Sequence, residues 1–204
     1  MWRKLFACIV MVLIFGSLAE AALIYGVTGT NIGSSGRSEV FTLDTSTNTI
    51  TKLTTTSAGW LHGDIAVTPS GTLYTVGVAD GGTWSKSLMR LNSTTGEVEQ
   101  YWKNVLPVGM NALEAIDDTT FLGVQGGNNG AAANVYLIEL DGGTPVFTNL
   151  GRVATQSNSG GDIARDLNGD YILAINNGLS LWRIPVNESG TLLIANSVKV
   201  VDAS

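Results

Sequence analysis

After its first twenty or so residues, the chain is built from short apolar or alternating segments of strand length. Runs such as "TLYTVGV" and "DYILAIN" are separated by turns such as "PSGT", "STTG", "LNGD" and "NESG". Gly, Asn and Ser between such runs are typical of tight β-hairpins. No apolar period of three to four residues, which would indicate helices, follows the N-terminal segment. The pattern therefore predicts an all-β, antiparallel protein.

One phrase recurs along the chain at nearly even intervals. It reads "LHGDIAVTPSGTLYTV", then "VGMNALEAIDDTTFLGV", then "SGGDIARDLNGDYILAI", so that Gly63, Asn111 and Gly161 stand 48 and 50 residues apart. Each repeat contains four strand-like segments, and a unit of that length and content predicts a β-propeller blade. We expect a propeller of four-stranded blades with units at about 22–56, 57–104, 105–152 and 153–204. The alternative is a β-sandwich whose strand spacing happens to be regular.

The repeat lacks the Gly-His and Trp-Asp pairing of WD40 proteins and the fixed Gly-Gly doublet of kelch proteins. Its "GDIA…G-x-LY" phrase resembles secreted bacterial β-propellers of the NHL-like and quinoprotein-like group. The resemblance covers the chain after its leader. It implies a WD40-like blade architecture and no particular activity.

The first unit begins at its second strand, "LIYGV", and so lacks an inner strand. The chain stops at "VKVVDAS", about where a further "GDIA" phrase would start. Two interpretations follow: a four-bladed ring closed in an unusual way, or part of a larger ring. We favour the second, because the end falls in the middle of a period. Open blade edges also predict self-assembly.

The N-terminus has the features of a signal peptide at residues 1–21. A basic start, "MWRK", precedes a 12-residue apolar run and the small-residue end "SLAEAA". The run is too short for a spanning helix, although a retained anchor is the alternative. We expect a secreted, periplasmic or cell-surface protein with no transmembrane span after cleavage. Surface attachment through a further C-terminal region is a third possibility.

Composition then excludes several kinds of site. The single cysteine, Cys8, lies in the leader, so the mature chain would have no disulfide, thiol nucleophile or cysteine–zinc site. The net charge is −6 and becomes about −7 without the leader, which disfavours nucleic acid as a partner. The sequence requires no cofactor.

Candidate ligand-binding chemistry lies in the long connections, which a propeller gathers on one face. Tryptophan stacks on sugar rings and amides reach hydroxyl groups, so a carbohydrate or protein ligand is expected there. The alternative is that Trp60 wedges between blades and that the loops only connect strands. The binding candidates are Trp60, His62, Trp84, Asn111 and Asn128.

The inner-strand phrase supplies the remaining candidates. Asp64 and Asp162 occupy equivalent positions, whereas the middle unit has Ala112, and acids repeated around a channel could bind a cation. His62 and Asp64 are two residues apart and are expected to share a strand face. No catalytic residue is assigned. Two hypotheses follow: a non-catalytic binding scaffold, or a lyase- or dehydrogenase-type propeller enzyme with its site in the central channel.

Overall fold

The computed structural model describes residues 23–27, 38–55, 61–78, 86–126, 133–153, 160–175 and 180–202. These residues form four antiparallel sheets that follow one another along the chain. The prediction of an all-β propeller of antiparallel blades is confirmed. No helix among the described residues is long and apolar enough to span a bilayer.

The sheets have the simple up-and-down order of propeller blades. The first has three described strands: β1 (Leu23–Val27), β2 (Glu39–Asp44) and β3 (Thr49–Thr55). The second contains β4 (Leu61–Val67), β5 (Leu73–Val78), β6 (Ser87–Leu91) and β7 (Val98–Trp102). The third contains β8 (Met110–Ala115), β9 (Thr120–Gln125), β10 (Asn134–Asp141) and β11 (Thr144–Arg152). The fourth contains β12 (Gly160–Arg165), β13 (Tyr171–Ile175), β14 (Ser180–Ile184) and β15 (Val198–Asp202).

Short polar side chains close the hairpin turns between strands. In the β12–β13 turn, the Asp166 carboxylate accepts the backbone N–H groups of Asn168 at 2.8 Å and Asp170 at 3.0 Å. Gly169 in that turn has φ +90°, a left-handed conformation that favours glycine. Asn187 closes the turn after β14 in the same way. The turn residues read from the sequence therefore set the strand ends.

The core lies between blades. We call the face of a blade toward the preceding blade its near face, and the face toward the following blade its far face. Three apolar clusters fill the junctions between successive blades; Leu73 lies in the first, Phe121 in the second and Leu173 in the third, and each is fully buried. Among the described residues, none of the closely packed strand pairs joins the first blade to the fourth. Over the described residues, the blades therefore form an open arc.

Candidate functional site

Three inner strands line the centre of the arc and position its polar groups. β4 packs beside β8, and β8 packs beside β12. All three begin at the same end, which is also where the connection after each second strand leaves the blade. We call this end the loop face. The opposite end carries the tight turns between the first and second strands.

A β-bulge interrupts each inner strand close to the loop face. The strand register shifts between His62 and Asp64, between Met110 and Ala112, and between Gly160 and Asp162. The extra residue is the first position of the recurring phrase, Gly63, Asn111 or Gly161. A bulge bends the strand and redirects the side chains on either side of it.

The bulge separates His62 from Asp64. His62 lies opposite Gly77, whereas Asp64 lies opposite Val76, and adjacent residues of a strand point to opposite faces. The expectation that His62 and Asp64 share a face is therefore wrong, because it assumed an unbroken period of two. His62 belongs to the near face of the second blade and Asp64 to its far face.

His62 is fully buried at the junction of the first and second blades. Its backbone N–H donates to the Ser38 hydroxyl at 2.9 Å, and its ring Nδ1 lies 3.3 Å from the Thr75 hydroxyl. That hydroxyl donates to the Asp64 carbonyl at 2.6 Å, so it accepts from a protonated Nδ1. Nε2 has no hydrogen-bond partner among the described residues. Burial lowers the pKa of His62 to about 4, which keeps the imidazole neutral at pH 7.

Asp64 connects two inner strands. Its Oδ1 accepts the N–H of Ile65 at 2.8 Å, and its Oδ2 accepts the N–H of Leu113, in the next blade, at 2.7 Å. Burial raises the pKa of Asp64 to about 7, the Leu113 N–H opposes this, and the charges of Asp162 and Glu114 raise it further. A half-buried carboxyl group therefore titrates near neutral pH between the second and third blades.

Glu114 makes the corresponding connection between the third and fourth blades, two residues further along its strand. The middle unit has Ala112 at the Asp64 position, and Glu114, two residues later, accepts the backbone N–H of Arg165 from the fourth blade. Burial raises the pKa of Glu114, while this hydrogen bond opposes the rise. This role of Glu114 was not predicted from the sequence; the signal was an acid displaced by two residues from the position where the second and fourth units carry aspartate.

The two cation candidates lie in different surroundings. Asp64 is half-buried between blades, whereas Asp162 is exposed and accepts the Ile163 N–H at 2.8 Å. Within the described part of the chain, no group of three or more His, Cys, Asp or Glu side chains is arranged to hold a metal ion. The cation therefore stays a prediction from the repeated acids.

Asn111 lies at the loop face as the bulge residue of β8. Its amide group covers Gly126, where an added Cβ would stand 2.0 Å from Asn111 Cγ. Gly126 in turn donates its N–H to the Gly109 carbonyl at 2.9 Å. The rim beside Asn111 is thus compact and built on close backbone approach. The other binding candidates, Trp60, Trp84 and Asn128, lie outside the described residues.

Comparison with known proteins places the fold without naming a family. No protein-family model matches the chain, and no curated protein matches it. Among solved structures, the chain is similar to the PQQ-bound aldose sugar dehydrogenase of Streptomyces coelicolor, with a TM-score of 0.57, 15% identity, and 92% of this chain and 65% of that one covered. It is also similar to the periplasmic gluconolactonase of Pseudomonas aeruginosa, with a TM-score of 0.51 and 13% identity. The match covers 90% of this chain and 57% of the gluconolactonase.

A third similar structure is an auxiliary nutrient binding protein from Bacteroides thetaiotaomicron, with a TM-score of 0.52 and 9% identity, covering 85% of this chain and 40% of that one. At these identities the likeness shows the fold alone, and it confirms the resemblance to bacterial propellers. The chain spans between about two fifths and two thirds of the length of these three structures.

Proposed function

We propose that the chain is an exported propeller scaffold that binds a carbohydrate or protein ligand on its loop face. The observation that carries the proposal is that β4, β8 and β12 all begin at the loop face. A rigid set of strands ending side by side beneath the longer connections is the usual setting of a binding surface. Among the binding candidates within the described residues, Asn111 lies at the loop face.

The chemistry of the described polar groups favours binding over catalysis. His62 is buried and neutral, and the carboxyl groups of Asp64 and Glu114 accept backbone N–H groups from neighbouring blades. These groups hold the inner strands in register. Ligand contacts are then assigned to the predicted set in the connections, namely Trp60, Trp84 and Asn128, together with Asn111.

The similar structures agree with a sugar-sized ligand. Among them are a sugar dehydrogenase, a gluconolactonase and a nutrient-binding protein. We infer from this only the class of ligand to be tested first. Rings with several hydroxyl groups suit stacking on tryptophan and hydrogen bonding by amides.

Saturation-transfer NMR with aldohexoses, aldopentoses and their disaccharides tests the proposal. We expect transfer to at least one sugar, and an affinity about fivefold lower after Trp84→Ala, because one stacked ring contributes about 1 kcal/mol. Asn128→Ala should also weaken binding. Asn168→Ala should leave it unchanged, because Asn168 lies in an exposed turn on the side opposite the loop face. Absence of transfer to every sugar would exclude the carbohydrate ligand.

Export is proposed from the leader sequence. The intact mass of the chain recovered from an expressing bacterium measures the cleavage directly. We expect a chain that begins at Ala22 in the extracytoplasmic fraction. A chain that keeps residues 1–21 would indicate the retained anchor instead.

One observation favours the second candidate, an enzyme with its site in the central channel. Asp64 titrates near pH 7 with two other carboxyl groups close by, and a carboxyl group near its pKa can exchange protons at neutral pH. Aldose oxidation with added PQQ and an artificial electron acceptor, together with gluconolactone hydrolysis, tests this candidate. Activity that is lost in Asp64→Asn and kept in Glu188→Gln, whose carboxylate is exposed in the turn after β14, would favour the enzyme over the scaffold.

A further inference from the structure

The first and fourth blades lie at the two ends of the arc. Each exposes a face of the kind that the chain buries at its internal junctions. Each internal junction joins the far face of one blade to the near face of the next. The far face of the second blade shows what such a surface contains. Ala66, Val76 and Leu88 on that face are at most 2% exposed, because the third blade covers them.

The far face of the fourth blade matches that surface position by position. The strand registers place Ala164 at the position of Ala66, Ala174 at that of Val76 and Leu181 at that of Leu88. In the fourth blade, however, nothing in the described chain covers them. Leu181 is 37% exposed, and Val201 beside it in the outer strand is 47% exposed.

Asp162 is polar evidence that the far face of the fourth blade is uncovered. At the equivalent position, Asp64 accepts the N–H of the following residue with its Oδ1 and an N–H of the next blade with its Oδ2. Asp162 makes the first of these contacts, with Ile163 at 2.8 Å, and is exposed. The strand registers place Asp162 on the far face of the fourth blade, the side on which a following blade would lie.

The near face of the first blade is the second uncovered surface. Ile24 is 50% exposed, and Phe41 and Leu43 are half-buried. The corresponding residues of the third blade, Phe121, Tyr136 and Ile138, are all buried against the second blade. Within the described residues, the chain therefore carries an uncovered far face and an uncovered near face, and no closely packed pair of strands brings the two together.

We propose that a second copy of this chain covers both faces. The far face of the fourth blade of each copy packs on the near face of the first blade of the other, continuing the junction that the chain makes between its own blades. Two such contacts related by a two-fold axis close a ring of eight blades, within the range that propellers adopt. At each seam, Asp162 of one copy lies beside β1 of the other, which is the innermost described strand of the first blade. This inference is independent of the proposed ligand site.

Analytical ultracentrifugation and native mass spectrometry of the exported chain at micromolar concentration test the ring. We expect a dimer with no larger species. A monomer would overturn the proposal, and so would an open series of oligomers, since a head-to-tail contact that does not close extends indefinitely.

Two variants and a matched control test which faces meet. Val201→Asp and Ile24→Asp each place a charge in one half of the contact, and each should raise the dissociation constant by about 100-fold or more, because an unpaired charge is costly to bury. Val146→Asp is the control: Val146 also lies in an outer strand and is 51% exposed, but it lies on neither open face. It should leave the dimer intact.

Mixing the two variants separates a head-to-tail contact from any symmetric one. Each variant alone lacks one half of the contact and should be monomeric. The mixture retains one intact contact, between the fourth blade of Ile24→Asp and the first blade of Val201→Asp, and should form a heterodimer weaker than the wild-type ring. Circular dichroism confirms that each variant is folded. A dimer of either variant alone, or no heterodimer in the mixture, would overturn the proposal.

Discussion

At the residue scale, the most informative group is the Asp64 carboxylate, because it satisfies backbone N–H groups of two blades at once. We expect Asp64→Ala to lower the free energy of unfolding by about 1–3 kcal/mol, since it leaves half-buried donors without an acceptor. Asp64→Asn keeps one acceptor oxygen and should cost less. Urea denaturation at pH 7, in solution dilute enough to dissociate the proposed dimer, measures both. Asp162→Ala is the control, with one N–H partner and an exposed carboxylate, and an equal loss there would contradict this role.

The two titratable groups of β4, the half-buried Asp64 and the buried His62, should give the free energy of unfolding opposite dependences on pH. Burial raises the pKa of Asp64 to about 7, so its contribution is complete below its unfolded pKa near 4 and is lost as pH rises through 7. Burial lowers the pKa of His62 to about 4, so its contribution is complete above its unfolded pKa near 6.5 and is lost as pH falls through 4.

In the wild type these two slopes oppose each other between about pH 4 and 6.5. We therefore expect the unfolding free energy of Asp64→Asn to rise with pH across that window more steeply than that of the wild type. His62→Gln should show the reverse change. Urea titrations at half-unit pH intervals measure the slopes, and slopes unchanged in both variants would show that neither group titrates as described.

At the element scale, the sequence predicted the strands and turns more accurately than the side-chain directions. The Gly- and Asn-containing turns and the repeated phrase identified the blades, because those features depend on local backbone chemistry. The bulge at Gly63 was not predicted, because one extra residue leaves the apolar pattern almost unchanged while it reverses the faces of His62 and Asp64. The connection from Glu114 to Arg165 depends on neighbouring blades, which no local pattern describes.

A pair of equivalent glycines tests how tightly the blade faces pack. Gly123 and Gly26 occupy the same place in the second strands of their blades. A Cβ on Gly123 would lie 2.4 Å from Met110 Sδ and 2.9 Å from Ile138 Cδ1, at a covered junction. A Cβ on Gly26 would lie 2.4 Å from the Phe41 ring, which is half-buried on an open face.

We expect Gly123→Ala to destabilise the chain by about 1–3 kcal/mol through overpacking. Gly26→Ala should cost less, because the Phe41 ring can move outward into open space. Thermal unfolding at concentrations below the dissociation constant of the proposed dimer measures both variants. A larger loss for Gly26→Ala would mean that the near face of the first blade is already covered within one chain.

At the scale of the whole molecule, stability should vary along the arc. In a repeat protein each unit is stabilised by its own fold and by its contacts with its neighbours. The third blade is covered on both faces by the clusters of its two junctions, whereas the first blade has three described strands and one open face. The middle of the arc is therefore the most stable part, and the ends are where local opening begins.

Hydrogen exchange followed by mass spectrometry measures this gradient. We expect the amides of β9 and β10 to exchange most slowly, and those of β1 and β2 to exchange fastest, in dilute solution. Because a second copy would cover the first and fourth blades, protection of β1, β2 and β14 should increase with protein concentration, while that of β9 stays constant. Val146→Asp should show the same increase, and Val201→Asp should not. Uniform exchange along the chain would contradict the gradient, and protection of the end blades that is independent of concentration would contradict their coverage by a second copy.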